Sequence, residues 1–137
     1  MGYYIYTRES TARIKMENMD KALIAFKKWQ DKNNRLGFTS VNSILNAKNL
    51  KELLEELRYD SKYDSESGDL LIIEFTGEKY GNELTIWEVL APFVEDNTYI
   101  EYKGEDGDVW RHIFKNGKCK EVHPKIVWEE LQCPNID

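Results

Sequence analysis

The chain has 137 residues, of which 41% are hydrophobic and 12% aromatic, which is enough for one hydrophobic core and too little for two ordinary domains. We therefore expect residues 1–137 to form a single globular domain. Its 25 acidic residues against 19 basic residues give a net charge of −6, which argues against general affinity for nucleic acid or anionic membranes. No apolar run approaches the roughly 20 residues of a membrane-spanning helix, and residues 1–10 lack the pattern of a secretory signal. These features predict a cytoplasmic protein.

The first third of the chain predicts a strand and then a helix. Residues 3–15, "YYIYTRESTARIK", are rich in aromatic and β-branched residues and contain no Gly or Pro, so we expect one long strand. Asn18 is a suitable cap for the helix that follows, and Gly37 is suited to end it. The apolar positions of this helix recur every three or four residues, which places them on one face: Ala22, Leu23, Phe26 and Trp29.

A second helix is predicted to begin at Asn49. Glu52 follows three residues later, as in a capping box, although Ser or Thr is the usual first member. The leucines after this cap recur at helical spacing and predict a buried stripe: Leu50, Leu53, Leu54 and Leu57.

The middle of the chain predicts a loop, a strand and a third helix. "YDSKYDSESGD" is polar and turn-rich, whereas "LLIIEFTG" is an apolar run of strand length, so we expect a loop and then a central strand. "NELTIWEVLAPFV" has apolar residues at helical spacing. Thr85 and Glu88 form a second possible capping box, and Pro92 is expected to end or bend the helix.

Residues 98–122 predict a three-stranded meander. "TYIEYKG", "DVWRHIF" and "GKCKEV" alternate, and they are separated by Asp-Gly and Asn-Gly pairs, which favour tight hairpin turns. Side chains two residues apart in a strand share a face. Trp110, His112 and Phe114 should therefore lie opposite Val109, Arg111 and Ile113. Beyond the meander, a fourth short strand or a single helical turn is expected around residues 126–128.

The predicted order is therefore β-α-α-β-α-β-β-β. This order indicates an α+β fold in which helices pack on one face of a largely antiparallel sheet. Half of the order resembles the ferredoxin-like plan.

The residues with metal-ligating or nucleophilic side chains do not predict a reactive site. His112, Cys119, His123 and Cys133 are spaced H-x6-C-x3-H-x9-C, without the short paired-cysteine knuckles of zinc sites. "GEDGD" and "DSESGD" lack the register of a calcium loop. Cys119 as a nucleophile would need His112 or His123 as its base. We expect no metal, no cofactor and no catalytic residue.

Aromatic residues are frequent in the predicted strands and offer two kinds of surface. Exposed rings on a sheet can stack nucleic-acid bases, but base-stacking sites also need basic neighbours, and carboxylates surround these rings. Tyr and Trp beside charge are equally typical of protein interfaces. We therefore predict a protein partner and no direct nucleic-acid binding. The candidate partner-binding residues are the exposed members of Glu101, Tyr102, Glu105, Asp106, Asp108, Trp110 and Arg111.

Residues 70–122 carry an "EFTGEK" strand end, an "APFV" helix end and the pattern YI-x-x-x-GEDG-x-x-WR-x-x-F-x-x-GK. In these motifs the segment resembles a family of small uncharacterised proteins from Firmicutes, their phages and their mobile elements. The resemblance implies a fold unit and a mobile-element setting, in which small acidic proteins often act by binding. It brings no activity, and no catalytic residue is carried over from it.

These observations predict a non-enzymatic acidic binding protein that inhibits or neutralises a macromolecular partner. In a phage or mobile-element setting, the partner would be a bacterial defence nuclease, as for anti-CRISPR proteins. An immunity protein that neutralises a toxin is an alternative with the same surface chemistry. A second alternative is a small enzyme or ligand-binding domain that uses His112 and Cys119.

Overall fold

The structure is a computed structural model that describes residues 3–33, 41–78 and 83–131. Its helices are α1 (Met19–Asn33), α2 (Val41–Leu45), α3 (Leu50–Glu56) and α4 (Glu83–Leu90). Its strands are β1 (Tyr4–Ser10), β2 (Arg13–Ile14), β3 (Tyr59–Tyr63), β4 (Leu70–Glu78), β5 (Thr98–Gly104), β6 (Val109–Lys115) and β7 (Lys118–Val122). None of the helices in these ranges is both long and apolar enough to cross a membrane.

The predicted α+β class is confirmed: helices pack on a sheet whose pairings among the described strands are antiparallel. Four strands lie side by side in the order β3-β4-β1-β5, and β6 and β7 extend the sheet beyond β5. The chain runs from β1 through three helices to β3 and β4, and then through α4 to β5. This is the split β-α-β arrangement of ferredoxin-like folds, so the resemblance of half the order to that plan holds.

The long N-terminal strand bends, so the prediction of one continuous strand was wrong in this detail. β1 and β2 both pair with β4, and residues 11 and 12 separate them. Side chains replace ladder hydrogen bonds around the bend. Thr7 Oγ1 accepts from Phe75 N at 2.8 Å, and Ser10 Oγ donates to the Ile72 carbonyl at 2.7 Å. The strand therefore changes direction without leaving these backbone groups unsatisfied.

The segment predicted as a loop contains strand β3. Tyr59 and Ser61 are buried, whereas Asp60 and Lys62 are exposed. The sequence does not show this alternation as an apolar pattern, because one of the two buried residues, Ser61, is polar. Charged residues are typical of strands at the edge of a sheet, where they oppose unwanted pairing. Only residues 64–69 form the expected turn region.

Helix α1 starts differently from the prediction. A 3-10 turn, Met16–Asn18, precedes it, and Asn18 N donates to the Lys15 carbonyl at 2.9 Å. Asn18 therefore belongs to this turn. The predicted stripe is confirmed, because Ala22, Leu23 and Phe26 are buried and Trp29 packs against the core. Gly37, the expected end signal, lies outside the described residues. The short helix α2, which buries Ile44, was not predicted.

Helix α3 has the predicted cap. Asn49 Oδ1 accepts a hydrogen bond from Glu52 N at 2.8 Å. Glu52 reaches back one residue further than in the standard box, because its Oε2 accepts from Lys48 N at 2.8 Å. The four leucines of the predicted stripe are buried.

The predicted capping box of the third helix was wrong. Helix α4 already includes Glu83, two residues before Thr85, so Thr85 is inside the helix. Pro92 acts as expected, since α4 stops at Leu90 and continues only as the 3-10 turn Ala91–Phe93. A proline at this position cannot donate the hydrogen bond that an extended α-helix requires.

Aromatic side chains join helix α4 to the sheet. The Trp87 ring packs edge-on against Tyr59 and Phe114, with centroids 5.1 and 5.5 Å apart. Tyr59 also packs against Phe75 at 5.0 Å. Edge-to-face pairs of this kind contribute about 0.5–1.5 kcal/mol each beyond burial. These contacts hold β3, β4 and β6 against one helix.

The meander of residues 98–122 is confirmed. Asn116 and Gly117 both have positive φ, at 54° and 74°, as the two-residue hairpin turn requires. Trp110, His112 and Phe114 are all buried, so they share one face of β6, as their alternation predicted. The segment after β7 differs from the prediction, because residues 123–131 form neither a strand nor a helical turn.

We expect Asn49→Ala to lower the free energy of unfolding by about 1 kcal/mol, within the roughly 0.5–2 kcal/mol typical of lost N-caps. The reason is that Glu52 N would lose its hydrogen-bond partner. Urea denaturation measures the change. Asn42→Ala, at an exposed position of α2, is the control and should stay within about 0.5 kcal/mol of the wild type. Equal effects of the two substitutions would contradict this role of Asn49.

Candidate functional site

The turn between β5 and β6 presents three exposed carboxylates, Glu105, Asp106 and Asp108, which we call the acidic tip. The turn is held by its own backbone: Gly107 N donates to the Gly104 carbonyl at 3.0 Å, and Gly104 N donates to the Asp108 carbonyl at 2.8 Å. Asp106 Oδ1 also accepts from Asp108 N at 3.0 Å. The acidic tip is therefore fixed in shape before any partner binds.

Tyr3 ties the acidic tip to the N-terminal strand. Its hydroxyl donates a hydrogen bond to Asp106, and this bond to a carboxylate raises the pKa of Tyr3 to about 12. The ring crosses directly over Gly104, where a Cβ would collide with the Tyr3 hydroxyl. Glycine at position 104 is therefore required for this contact.

Two exposed tyrosines lie beside the acidic tip. Glu105 N donates to the Tyr4 carbonyl at 3.0 Å, which places β1 next to the turn. The Tyr4 and Tyr6 side chains point away from the helices and are 53% and 45% exposed. Exposed tyrosines are rigid, large contact groups and are enriched at interfaces. The acidic tip together with Tyr4 and Tyr6 forms one surface that combines charge and aromatic area.

A second charged cluster lies further along the same open face of the sheet. Glu101 is only 6% exposed and is held between two arginines. Its two carboxylate oxygens are 2.8 Å from Arg8 Nε and 2.7 Å from Arg111 Nε. The Arg111 guanidinium also stacks over the Tyr99 ring, 4.1 Å from its centroid. Glu101 therefore fixes the position of two partly exposed cations.

The structure divides the predicted surface residues into two groups. Glu105, Asp106, Asp108 and Arg111 are exposed, whereas Glu101 is mostly covered by its arginine partners. Tyr102 and Trp110 are buried, with 0% and 5% of their surface exposed. Their rings stack on each other with centroids 5.7 Å apart. Both are core residues, and the exposed aromatic groups near the acidic tip are Tyr4 and Tyr6.

A chain of buried hydrogen bonds runs from the core to the surface. The hydroxyls of Tyr59 and Tyr102 are 2.7 Å apart, and the Tyr102 hydroxyl is 3.1 Å from His112 Nδ1. His112 Nε2 is 3.2 Å from Glu121 Oε1, and the exposed His123 contacts the other oxygen of Glu121 at 3.1 Å. Tyr59, Tyr102 and His112 have no exposed surface.

The partner atoms assign the direction of these hydrogen bonds. An ionised carboxylate only accepts, so His112 Nε2 carries a proton. In a neutral imidazole, Nδ1 then accepts from the Tyr102 hydroxyl, which in turn accepts from Tyr59. Burial raises the pKa of Tyr59 well above its usual value, which keeps that hydroxyl a donor. The chain therefore satisfies His112 on both sides and stabilises a polar group inside an aromatic core.

The described residues give little support to a metal site or a thiol nucleophile. Burial, with the nearby charges of Glu88 and Glu121, raises the pKa of Cys119 to about 12, so the thiol is protonated at neutral pH. Within residues 3–33, 41–78 and 83–131, no three His, Cys, Asp or Glu side chains cluster to hold a metal ion. Cys133 lies outside these ranges.

Sequence reasoning missed two members of the buried chain. Tyr59 falls in the segment that was assigned to a loop, and no local pattern marks it as a core residue. Glu121 is one of many acidic residues, and only the pairing of β6 with β7, which sets His112 opposite Glu121, identifies it. Predicting the residue pairing between the second and third strands of the meander would have placed Glu121 opposite His112.

Comparison with known proteins gives no match: no family model fits the chain, and no curated protein and no solved structure is detectably similar to it.

We expect Tyr102→Phe to lower the free energy of unfolding by about 1–3 kcal/mol, because the Tyr59 hydroxyl and His112 Nδ1 would each lose a buried partner. Thermal and urea denaturation measure the change. Tyr4→Phe removes a hydroxyl from a residue that is 53% exposed and should change the free energy of unfolding by less than about 0.5 kcal/mol. A neutral effect of Tyr102→Phe would refute the structural role of the hydrogen-bond chain.

We expect the contribution of Glu121 to stability to disappear in acid. Burial raises the pKa of this carboxyl, but the hydrogen bonds from His123 and His112, with the attraction of either ring in its protonated form, outweigh burial and lower it below its usual 4.5. A group with a lowered folded pKa contributes stability above its unfolded pKa and loses it as the pH falls through the folded value. The free energies of unfolding of the wild type and Glu121→Gln, measured by urea denaturation, should therefore differ near neutral pH and converge as the pH falls through the lowered folded pKa of Glu121. A difference that stays constant would contradict this.

Proposed function

We propose that this protein is a non-enzymatic binding protein that inhibits or neutralises a protein partner with a basic surface. The observation that carries the proposal is the surface formed by the acidic tip and the two exposed tyrosines, Tyr4 and Tyr6. Preformed carboxylates contribute charge complementarity, and the tyrosine rings contribute contact area with few rotatable bonds.

The charge distribution supports fast and selective association. With a net charge of −6, the whole molecule attracts basic partners over distances near the Debye length. The acidic tip projects at one end of the sheet, where its charges meet a partner first. Its turn is held by backbone hydrogen bonds, so little conformational entropy is lost on binding.

A more specific form of the proposal names a bacterial defence nuclease as the partner. Nucleases hold the phosphates of nucleic acid with basic residues, and a surface that combines carboxylates with aromatic rings imitates that ligand. The family resemblance of residues 70–122 to phage and mobile-element proteins supports the same setting. The protein would then block the nuclease by occupying its basic groove.

The chemistry of the two candidate reactive residues favours binding over catalysis. Cys119 is buried with a raised pKa, and the imidazole of His112 is enclosed with Tyr102 and Glu121 at its two nitrogens. Cys119 does border a cavity of about 450 Å³, together with Glu88 and Lys118, but its thiol is protonated at neutral pH and is therefore a poor nucleophile. These features support a stabilising role for both residues.

We expect the double substitution Glu105→Lys with Asp108→Lys to weaken partner binding, mainly by slowing association. Asp106 is left in place because it accepts the hydrogen bonds that hold the turn and Tyr3. The tagged variants and the wild type are used in parallel to capture partners from host lysate, and the captured partner is then titrated at several salt concentrations. We expect the association rate to fall about tenfold or more and its salt dependence to weaken.

The matched control is Asp31→Lys with Glu66→Lys, which makes the same change in net charge at exposed positions on helix α1 and in the turn before β4. It should retain most of the wild-type affinity. If the tip variant and the control lose binding equally, only the overall charge matters and the proposed site is wrong. If the tip variant binds like the wild type, the proposed site is also wrong.

A further inference from the structure

The segment 124–131 exposes an unusual amount of apolar surface. It leaves the sheet after β7 without regular secondary structure. Trp128 is 91% exposed, and three aliphatic neighbours are at least 71% exposed: Ile126, Val127 and Leu131. Single exposed apolar residues are ordinary, but a group of four in eight residues is typical of a binding segment.

A cavity of about 290 Å³ lies where this segment leaves the sheet. Its wall is partly apolar and partly charged or polar. The apolar part consists of Val109, Trp110, Val122 and Pro124, and the polar part of Glu101, Arg111 and His123. An indole ring suits such a site, because its faces pack on apolar walls and attract a guanidinium.

The geometry of the segment argues against Trp128 entering the cavity of its own chain. Pro124 restricts the residue before it to extended conformations, and Ile126 and Val127 are β-branched and favour an extended backbone. Four extended residues span roughly 13 Å, so Trp128 is carried away from a cavity whose own wall includes Pro124. Residues 125–128, "KIVW", contain no Gly, Asn, Asp or Pro to turn the chain back.

We propose that segment 124–131 binds a second copy of this chain, with Trp128 of each copy in the cavity of the other. Exchange of an identical segment is a low-cost route to a two-fold symmetric dimer, since each copy provides both the segment and its site. The Lys118 and Lys120 side chains on the edge strand β7 oppose the alternative of direct β7–β7 pairing by charge repulsion.

Charge and area are both adequate for such a dimer. Glu129 and Glu130 follow Trp128, and the open face next to the cavity carries Arg8 and Arg111, which are about half exposed. A buried aromatic side chain removes roughly 150–250 Å² from water. Two exchanged segments, each with a tryptophan and three aliphatic residues, therefore reach the order of 1,000 Å² needed for a specific interface.

Sedimentation equilibrium of the full chain, from micromolar to millimolar concentrations, tests the proposal. We expect a monomer–dimer equilibrium in the wild type. Trp128→Ala should raise the dissociation constant at least about 30-fold, the loss typical of a buried tryptophan anchor. Val122→Glu, which places a charge in the cavity wall, should have a similar effect. The control Ile24→Ala removes a side chain that is 54% exposed on helix α1 and should leave the dissociation constant unchanged.

Tryptophan fluorescence shows whether the Trp128 side chain becomes protected from solvent in the dimer. Trp87 and Trp110 are buried and Trp29 is partly buried, so acrylamide quenching reports mainly Trp128, and Trp128→Phe provides the background to subtract. We expect quenching to weaken as the dimer forms. A monomer at every concentration would overturn the proposal, whether Trp128 is exposed or protected in its own chain. A dimer that tolerates Trp128→Ala or keeps Trp128 fully quenchable would overturn it as well.

Discussion

The central position of β1 is the constraint on which the rest of the structure depends. The first strand of the chain pairs with β4 on one side and β5 on the other. The pairing of β1 with both neighbours is therefore complete only when about a hundred residues have been positioned. Such non-local pairing is entropically costly and slow to form. It is stabilised where Thr7 and Ser10 replace missing ladder bonds with side-chain hydrogen bonds. These two hydrogen bonds keep β1 attached to β4 where the backbone ladder between them is interrupted.

Because the described helices cover one face of this sheet, a strand such as β6 places alternate residues in the core and on the open face. In β6, Trp110, His112 and Phe114 enter the core, while Arg111 remains on the open face beside Glu101. The same alternation places the aromatic residues and the histidine of β6 in the core. His112 bonds the Tyr102 hydroxyl and the Glu121 carboxylate, while Arg111 and Glu101 form an ion pair on the open face.

The sequence predicted elements whose signals are local. The Asn49 cap, the leucine stripe of α3 and the Asn-Gly turn at 116–117 were correct because each depends on neighbouring residues alone. The predictions failed where contacts between distant parts of the chain determine the local structure. Tyr59 lies in a strand because β4 pairs with it and Trp87 packs on it, and no nearby residue signals either contact. The burial of Tyr102 and Trp110 could not be predicted from neighbouring residues either. Alternation assigns residues to two faces of a strand, but it does not say which face the helices cover.

The acidic tip and the cavity beside segment 124–131 lie at the same end of the sheet. They must do so because β5, β6 and β7 are consecutive antiparallel strands. β5 ends at Gly104, β6 begins at Val109 and β7 ends at Val122, so the acidic tip, the cavity and the start of segment 124–131 are neighbours. In an exchanged dimer, each acidic tip would therefore lie close to the shared interface, and two tips would face one partner assembly. Paired sites gain affinity from the effective concentration of the second site. A partner with two basic surfaces, such as an oligomeric nuclease, would gain most from this arrangement, whereas a monomeric partner with a single basic groove would gain nothing from the second tip.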